Sequence, residues 1–427
     1  MNWKERDKAY VWHPFTPIKG AAEPIHIERG EGVYLYASDG RRFLDAIASW
    51  WVNIHGHGHP KIAQAIAEQA LKLDHVLFAG FTHTPAITLA EKLLEVLPPT
   101  FSKVFYSDNG STSVEVALKM AVQYFFNRGE THKFRFIAFE GAYHGDTFGA
   151  MSAAERSAFN APFQKLLFDV VHIPTPTVEN LETSLAQFEA AAQQGDVAAF
   201  IFEPLVQGAS GMLMYEAAGL DKLLALSKAY NIVCIADEVM TGFGRTGKIF
   251  ATDHLTQKPD IMCLSKGITG GFLPLGVTTC TAEIFSAFDS DDMMKTFFHG
   301  HSYTANPIVC AAAVASMDIL RGEECQNQIA MICRQHAAFL KKMKPHPLIK
   351  NIRQTGTILA IELHTGENTS YFNSIKAIIQ PFFLENGILI RPLGNVLYLM
   401  PPYCITETEL LGVYEVMENA LVYLQKL

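Results

Sequence analysis

Two side chains could do covalent and acid–base chemistry, because each directly follows a short apolar run. Lys266 comes after Ile261–Leu264, and Asp237 comes after the run NIVCIA. An ordinary lysine has a pKa of about 10.4, and burial at the end of a strand would lower that pKa and make the amine a nucleophile. A carboxylate in such a place needs a partner, such as a protonated ring nitrogen. Taken alone, Lys266 also fits a surface lysine, and Asp237 fits a helix N-cap.

A third segment has the composition of a phosphate-binding turn. It reads Asp108-Asn109-Gly110-Ser111-Thr112 and lies between an apolar run and a helical stretch. Glycine permits close backbone approach, the hydroxyls can donate, and a helix N-terminus favours an anion, although such turns also cap helices in many proteins. Tyr143 follows another apolar run and could stack on a ring or simply pack in the core. A reactive lysine, a carboxylate and a phosphate cup together are what pyridoxal phosphate requires of a protein.

Two more features could belong to a substrate site. Trp50 and Trp51 are adjacent, and such ring pairs line pockets as well as cores. Arg391 follows the apolar run GILI. Its guanidinium could hold a substrate carboxylate through two hydrogen bonds, and the alternative is a surface arginine.

The segment His55-Gly-His57-Gly-His59 resembles a set of metal ligands at first reading. However, no cysteine, aspartate or glutamate completes the set locally, and glycines separate the histidines. We therefore expect no metal site here, but a turn that leads into a helix near Pro60.

These candidate residues need a scaffold that brings them together, and the alternation of strands and helices supplies one. The helical stretches include Ser113–Asn127 and Leu220–Tyr230. Unbroken apolar runs between helices predict an α/β fold with a mainly parallel sheet buried on both faces. Ligands bind at the carboxyl ends of strands in such sheets, where all these polar residues fall. The predicted strands are Lys103–Tyr106, Phe134–Phe139, Ala198–Phe202, Ile232–Ala236 and Ile261–Leu264.

Composition excludes several other classes of protein. The 427 residues carry a net charge of -9 without a long basic run, so nucleic acid is not an expected partner. No stretch is long and apolar enough to span a membrane, and the charged N-terminus has no apolar segment of a signal peptide behind it. The seven cysteines are scattered and form no C-x-x-C pair, which is typical of reduced thiols and of a cytoplasmic protein.

The ordered stretch IADEVMTGFGRTGKIFA, followed by PDIMCLSKGITGG, resembles the active-site signature of the class III aminotransferases. That family has the pyridoxal-phosphate transferase fold type I, with a large domain and a smaller α+β domain. The implied bounds are 1–58 and 321–427 for the small domain and 59–320 for the large one. WHPFTP, SWWVNIHGHGHP, YHGDTFGAMS, HGHSYTANP and IRPLGNVLYLMPPY are similar to the branch that aminates 8-amino-7-oxononanoate with S-adenosylmethionine in biotin synthesis.

The resemblance implies a role for each matching position. Lys266 would bind pyridoxal phosphate covalently and then move the proton, Asp237 would pair with the ring nitrogen, and Tyr143 would cover the ring. Further contacts with the cofactor would come from Gly110, Ser111, Thr112 and Val239 and, across the interface of a homodimer, from His301 and Ser302. The substrates would meet Phe15, Trp50, Trp51, Tyr143, Lys266, Gly300 and Arg391, with Arg391 holding the carboxylate.

The chain departs from the family pattern at two places. The family usually has tyrosine at Phe15, so a hydroxyl beside the substrate is lost. It usually has Pro-Thr where this chain has His301-Ser302; the serine keeps a hydroxyl, and the histidine has no explanation. Three alternatives stay open: a class III transaminase for ornithine, 4-aminobutyrate or another ω-amine, a different pyridoxal chemistry such as that of an aminomutase, and a non-catalytic binding protein. The sequence leaves the donor, S-adenosylmethionine or lysine, undecided.

Overall fold

The computed structural model describes residues 2–367 and 369–426. The strands, in chain order, are β1 (Ile27–Glu31), β2 (Tyr34–Ala37), β3 (Arg42–Asp45), β4 (Phe101–Ser107), β5 (Arg135–Phe139), β6 (Val170–Ile173), β7 (Val197–Phe202), β8 (Val206–Gln207), β9 (Leu213–Met214), β10 (Val233–Asp237), β11 (Ile261–Leu264), β12 (Gly276–Thr281), β13 (Ile349–Thr355), β14 (Ile358–Leu363), β15 (Ile388–Leu389) and β16 (Val396–Leu399).

The α-helices are α1 (Trp3–Tyr10), α2 (Ala48–Trp51), α3 (Pro60–Lys72), α4 (Thr84–Val96), α5 (Gly110–Asn127), α6 (Phe148–Ala153), α7 (Leu181–Ala192), α8 (Ala217–Ala229), α9 (Ala282–Ser286), α10 (Pro307–Arg321), α11 (Glu323–Met343), α12 (Lys376–Glu385) and α13 (Glu407–Leu424). Short 3₁₀ segments cover Ala161–Leu166, Ala251–His254, Lys266–Thr269 and Met293–Lys295.

The largest sheet of the described residues has seven strands in the order β4-β12-β11-β10-β7-β5-β6. The pairs β11/β10, β10/β7, β7/β5 and β5/β6 are parallel, whereas β12 runs antiparallel to both of its neighbours. Since β12 alone is reversed, the other six strands all end at the same edge. The prediction of a mainly parallel sheet between helices is confirmed.

This sheet is buried on both faces, as its unbroken apolar runs predict. Along β10, Val233 and Ile235 join one apolar cluster, while Cys234 and Ala236 join the other. Successive residues of a strand point to opposite faces, so the two clusters lie above and below the sheet. Each fully buried aliphatic side chain of this kind contributes roughly 1.5–3 kcal/mol, which makes the sheet a rigid support.

The strand ends place the candidate residues at one edge. Asp237 ends β10 and is paired in register with Cys263 of β11, three residues before Lys266. The segments that contain Gly110 and Tyr143 follow β4 and β5. Because the ends of these strands meet at one edge, residues far apart in sequence become neighbours.

Segments from both ends of the chain fold together beside this sheet. β1, β2 and β3 form a second sheet, which β15 completes by pairing in parallel with β3. β13, β14 and β16 form a third, antiparallel sheet. The pairing of β3 with β15 agrees with the expectation that the two termini share one smaller unit, and the boundaries at residues 58 and 320 stay a prediction.

In the described residues no helix is long and apolar enough to cross a membrane. All seven cysteines lie in this part of the chain, and all are free thiols.

Candidate active site

Lys266 is partly buried at the end of β11, in a backbone conformation that few lysines adopt. It begins the 3₁₀ turn after β11 with a φ of 44°, in the left-handed region, and such backbone strain occurs mainly at functional sites. Its Nζ atom lies 4.7 Å from the centre of the Trp51 ring. Burial lowers the pKa of Lys266 to about 8, against the opposing charges of Asp237 and Glu203. At pH 7 roughly a tenth of the amine is therefore neutral, compared with about one in 2,500 for an ordinary lysine.

Asp237 lies at the end of β10 and is nearly inaccessible to solvent. Its Oδ2 atom is 2.7 Å from Nδ1 of His144, and its Oδ1 atom accepts a hydrogen bond from the Val239 backbone. The contact requires the proton of His144 to be on Nδ1, since a carboxylate only accepts. His144 thus orients the carboxylate that the sequence singled out, and its buried Nε2 atom has no partner in the described residues.

Glu203 is a second buried acid at the same edge. Burial is the largest cause of a raised pKa of Glu203. The charge of His144 opposes it and that of Asp237 adds to it, and the resulting pKa is about 7. Its carboxylate accepts hydrogen bonds from the backbones of Gly208 and Tyr143 at 2.9 and 3.2 Å. Sequence pattern alone assigns no role to Glu203 or His144, although both follow predicted strands.

Arg245 was also missed, although it lies inside the GFGRTG stretch. It is 1% exposed, and its guanidinium donates to backbone oxygens of Pro401 at 2.9 Å and of Trp51 at 3.4 Å. Its charge is one of the causes that lower the pKa of Lys266. Charged residues inside an otherwise apolar stretch would have been the signal.

The expected phosphate cup is the first turn of α5. The helix begins at Gly110, three residues earlier than predicted, because Asn109 and Thr112 form a capping box. Thr112 is used in this cap, and its hydroxyl also donates to Asp108. In the described residues the backbone N–H groups of Gly110 and Ser111 have no acceptor, so they remain available for an anion.

Val239 explains why position 110 is glycine. A Cβ atom at Gly110 would lie 2.6 Å from Val239 Cγ1. The hydroxyl of Ser111 is 2.7 Å from that of Thr147, whose Oγ1 donates to Glu115 at 2.6 Å. These contacts fix the first turn of α5 against α6, so the cup is preformed.

Tyr143 follows β5 at the same edge of the sheet, with about a third of its side chain exposed. Burial of its hydroxyl raises the pKa of Tyr143, and the carboxylates of Asp146 and Asp237 add to the rise. The phenol therefore stays protonated at neutral pH and can donate a hydrogen bond.

The tryptophan pair is presented by a strained turn. Ala48, Ser49 and Trp51 all have positive φ values, and Asp45 stabilises the turn through hydrogen bonds from the backbones of Ile47 and Ser49. Trp51 donates from Nε1 to the hydroxyl of Tyr398 at 2.9 Å, which fixes its ring against Lys266.

Trp50 is more exposed and lies farther out. Its ring is 4.5 Å from the guanidinium carbon of Arg391 and 5.6 Å from the Phe15 ring. Phe15 itself is about half exposed and has a positive φ. The structure thus brings three of the predicted substrate residues, Phe15, Trp50 and Arg391, into one group.

The segment 300–302 is not part of this group within the chain. Gly300 and Ser302 are exposed, and the hydrogen bonds of His301 are to Tyr303 and Thr304. Among the described residues no hydrogen bond, ion pair or ring contact joins the segment to Lys266, Asp237 or Gly110.

Two of the three histidines after the tryptophan pair have hydrogen-bonding partners in the fold. His55 contacts Ser316 at 3.0 Å, and burial lowers the pKa of His55 to about 3. His57 contacts Asp45 at 3.0 Å. Within residues 2–367 and 369–426 no group of histidine, cysteine and acidic side chains could hold a metal ion.

The residues present fit pyridoxal phosphate. The free N–H groups at Gly110 and Ser111 suit its phosphate, the buried Asp237 carboxylate suits its ring nitrogen, and the amine of Lys266 suits its aldehyde.

The comparisons with known proteins agree with this geometry. A model of the family "Aminotransferase class-III" matches residues 18–421. The chain belongs to this family and is an aminotransferase.

Curated relatives carry a more specific name. A protein of Synechococcus elongatus called adenosylmethionine-8-amino-7-oxononanoate aminotransferase is 50% identical over 96% of this chain and 98% of its own length. One of the same name from Geobacter sulfurreducens is 39% identical over 95% of this chain and 94% of its own.

Solved structures share the whole fold. The adenosylmethionine-8-amino-7-oxononanoate aminotransferase of Methanocaldococcus jannaschii has a TM-score of 0.94 at 37% identity, covering 98% of each chain. An omega transaminase of Pseudomonas jessenii in complex with PMP has a TM-score of 0.93 at 28% identity, covering 99% of this chain and 98% of its own.

Replacing Asp237 by asparagine keeps the shape and removes the charge at the end of β10. We expect turnover to fall roughly a hundredfold or more, about 3 kcal/mol in barrier, as for other preorganised electrostatic contacts. Asp260→Asn is the matched control, because Asp260 accepts a hydrogen bond from Cys234 near the opposite edge of the sheet. Near-normal turnover of Asp237→Asn would mean that another group fills this role.

Proposed function

We propose that the protein transfers an amino group from S-adenosylmethionine to 8-amino-7-oxononanoate, giving 7,8-diaminononanoate in biotin synthesis, with pyridoxal phosphate as cofactor. The names of the curated relatives support this activity. The main support from the structure is the position of Arg391. Its guanidinium lies against the Trp50 ring, and the ring of the adjacent Trp51 lies near the amine of Lys266. Arg391 would thus supply a positive charge for the carboxylate of a substrate whose other end reacts near the amine of Lys266.

The cofactor, when bound, would supply the electron sink that lets an amino group leave one carbon and join another. Gly110 and Ser111 would hold its phosphate through free backbone N–H groups, with Val239 behind them. Asp237, oriented by His144, would keep its ring nitrogen protonated.

Lys266 would attach the cofactor and then carry the proton in both half-reactions. A pKa of about 8 suits both tasks, because the amine can both accept and release a proton near neutral pH. Tyr143, which stays protonated, would cover the ring and donate a hydrogen bond. The two substrates would use this site in turn, which gives ping-pong kinetics.

We infer further that the protein is a homodimer in which His301 and Ser302 reach the cofactor of the partner subunit. Gly300 and Ser302 are exposed and, in the described residues, unconnected to the Lys266 site of their own chain, which supports such a role. A two-fold dimer would contribute the segment reciprocally. Mixing inactive Lys266→Ala subunits with Ser302→Ala subunits should then raise cofactor binding and activity above either parent. Full activity in a diluted monomer would refute shared sites.

A rival function is that of a general ω-aminotransferase, since structures of that name share the fold. A screen of amino donors and oxo acceptors on purified protein loaded with cofactor decides between them. We expect 8-amino-7-oxononanoate to be the preferred acceptor, and S-adenosylmethionine to exceed lysine as donor. Lys266→Ala, the control, should be inactive with every pair. A preference for simple ω-amines would overturn the proposal.

Arg391→Ala tests the carboxylate site itself. Loss of a charged hydrogen-bonding partner costs about 1.5–3 kcal/mol, so we expect the specificity constant for 8-amino-7-oxononanoate to fall roughly ten- to a hundredfold. Phe15→Tyr restores the hydroxyl usual in the family and should change affinities only modestly. Single-turnover measurements of each half-reaction separate the two substrates. If both halves of Arg391→Ala stayed within about twofold of wild type, the carboxylate would be held elsewhere.

A further inference from the structure

Two cations near the substrate site lack a counter-charge. Arg391 and Lys376 are both partly buried, and neither forms an ion pair in the part of the chain that the structure describes. The Nζ atom of Lys376 lies 4.3 Å from the centre of the Tyr371 ring. Burial alone would raise the pKa of the Tyr371 hydroxyl, but the neighbouring cations Arg391 and Lys376 lower it. Partly buried cations without acidic partners are most stable when a ligand supplies the anion.

Arg391 belongs to a ring of neighbouring side chains that we call the collar, formed by Phe15, Trp50, Phe159, Tyr371 and Arg391. Lys376 lies outside it, against the Tyr371 ring. Phe15 is 5.6 Å from Trp50 and 6.5 Å from Phe159, and Phe159 is 5.1 Å from Tyr371. Arg391 closes the ring between Tyr371 and Trp50. The collar therefore combines an apolar wall, which suits an aliphatic chain, with a charged end.

The position of Lys376 in its helix adds to the positive potential. It is the first residue of α12, and the N-cap residue Ile375 makes no side-chain capping hydrogen bond. A lysine at the positive end of a helix is unfavourable by itself and becomes favourable when an anion binds there.

We propose that Tyr371 and Lys376, together with Arg391, bind the carboxylate of the long oxo-acid substrate and so determine specificity in that half-reaction. This inference rests on the proposed function. The two cations beside Tyr371 can only donate hydrogen bonds, so the hydroxyl hydrogen of Tyr371 is free to donate to a carboxylate. The planar guanidinium gives two donors, and the ammonium of Lys376 gives a second positive charge.

The chemistry of the two substrates explains why these residues should act on one of them. In S-adenosylmethionine the carboxylate and the reacting amine share a carbon, so the carboxylate stays near Lys266. In 8-amino-7-oxononanoate the carboxylate is at the far end of the chain from the oxo group. The donor also carries a sulfonium cation, which two neighbouring cations repel. The collar therefore favours the oxo acid.

Substitution of Lys376 and Tyr371 in the holoenzyme tests this assignment. We expect Lys376→Gln and Tyr371→Phe each to weaken binding of 8-amino-7-oxononanoate about fivefold, as for a partly exposed charged contact. Lys376→Arg should retain wild-type affinity. The matched controls are Lys344→Gln, which removes a charge at the exposed end of α11, and Tyr423→Phe, which removes a hydroxyl from α13. Neither should change binding.

The readouts are the dissociation constant of the oxo acid, that of its carboxamide analogue, and the rate of the donor half-reaction. The proposal requires that Lys376→Gln weaken binding of the oxo acid. Binding of the carboxamide and the rate of the donor half-reaction should stay within about twofold of wild type. Equal weakening of acid and carboxamide, an effect on the donor half alone, or no effect would each overturn it. Calorimetric binding of nonanoate tests the carboxylate site without turnover. If the wild-type protein bound nonanoate, and Lys376→Gln weakened that binding, but the wild type did not aminate the oxo acid, the carboxylate site would stand and the proposed function would be wrong.

Discussion

A lysine ammonium loses its hydration when it lies at the end of a buried strand, and Lys266 is in that position. The seven-stranded sheet makes this possible, because its apolar strands exclude water from both faces up to the edge where β11 ends. Desolvation is the largest cause of the lowered pKa of Lys266, and the acids Asp237 and Glu203 oppose it. The balance leaves an amine that can be neutral or protonated near neutral pH, which a transaminase lysine requires.

The same edge explains how the acids are kept in place. Asp237 is held by His144 and by the backbone of Val239, and Glu203 by two backbone N–H groups. Buried carboxylates are tolerated only with such donors. Farther out, Asp45 stabilises the strained turn that carries Trp50 and Trp51. The adjacent residues Trp51 and Trp50 thus connect the inner site around Lys266 to the more exposed aromatic collar.

The sequence predicted the parts of the fold that depend on local pattern. Unbroken apolar runs identified β4, β5, β7, β10 and β11 to within a few residues, and the residues after them identified Lys266 and Asp237. β12 was not predicted, because its three threonines interrupt the apolar pattern and become buried only between β4 and β11. α5 begins before Ser113 because the capping box of Asn109 and Thr112 includes the glycine turn.

Other residues could not be found from local pattern, because their roles arise from tertiary contacts. His144 and Glu203 matter through their proximity to Asp237. The collar joins segments that are widely separated in the chain, so only the fold shows that Tyr371 and Lys376 lie beside Arg391.

The most direct measurement is the pH dependence of Lys266 reactivity in cofactor-free protein. A small uncharged amine-reactive reagent is applied over a range of pH, and mass spectrometry of peptides follows the modification of Lys266 beside an exposed lysine such as Lys344. Since only the neutral amine reacts, modification of Lys266 should rise with pH through a midpoint near 8, well below that of Lys344. A midpoint for Lys266 near the ordinary lysine value of about 10.4 would contradict the account, because the buried edge of the sheet would then not alter the amine.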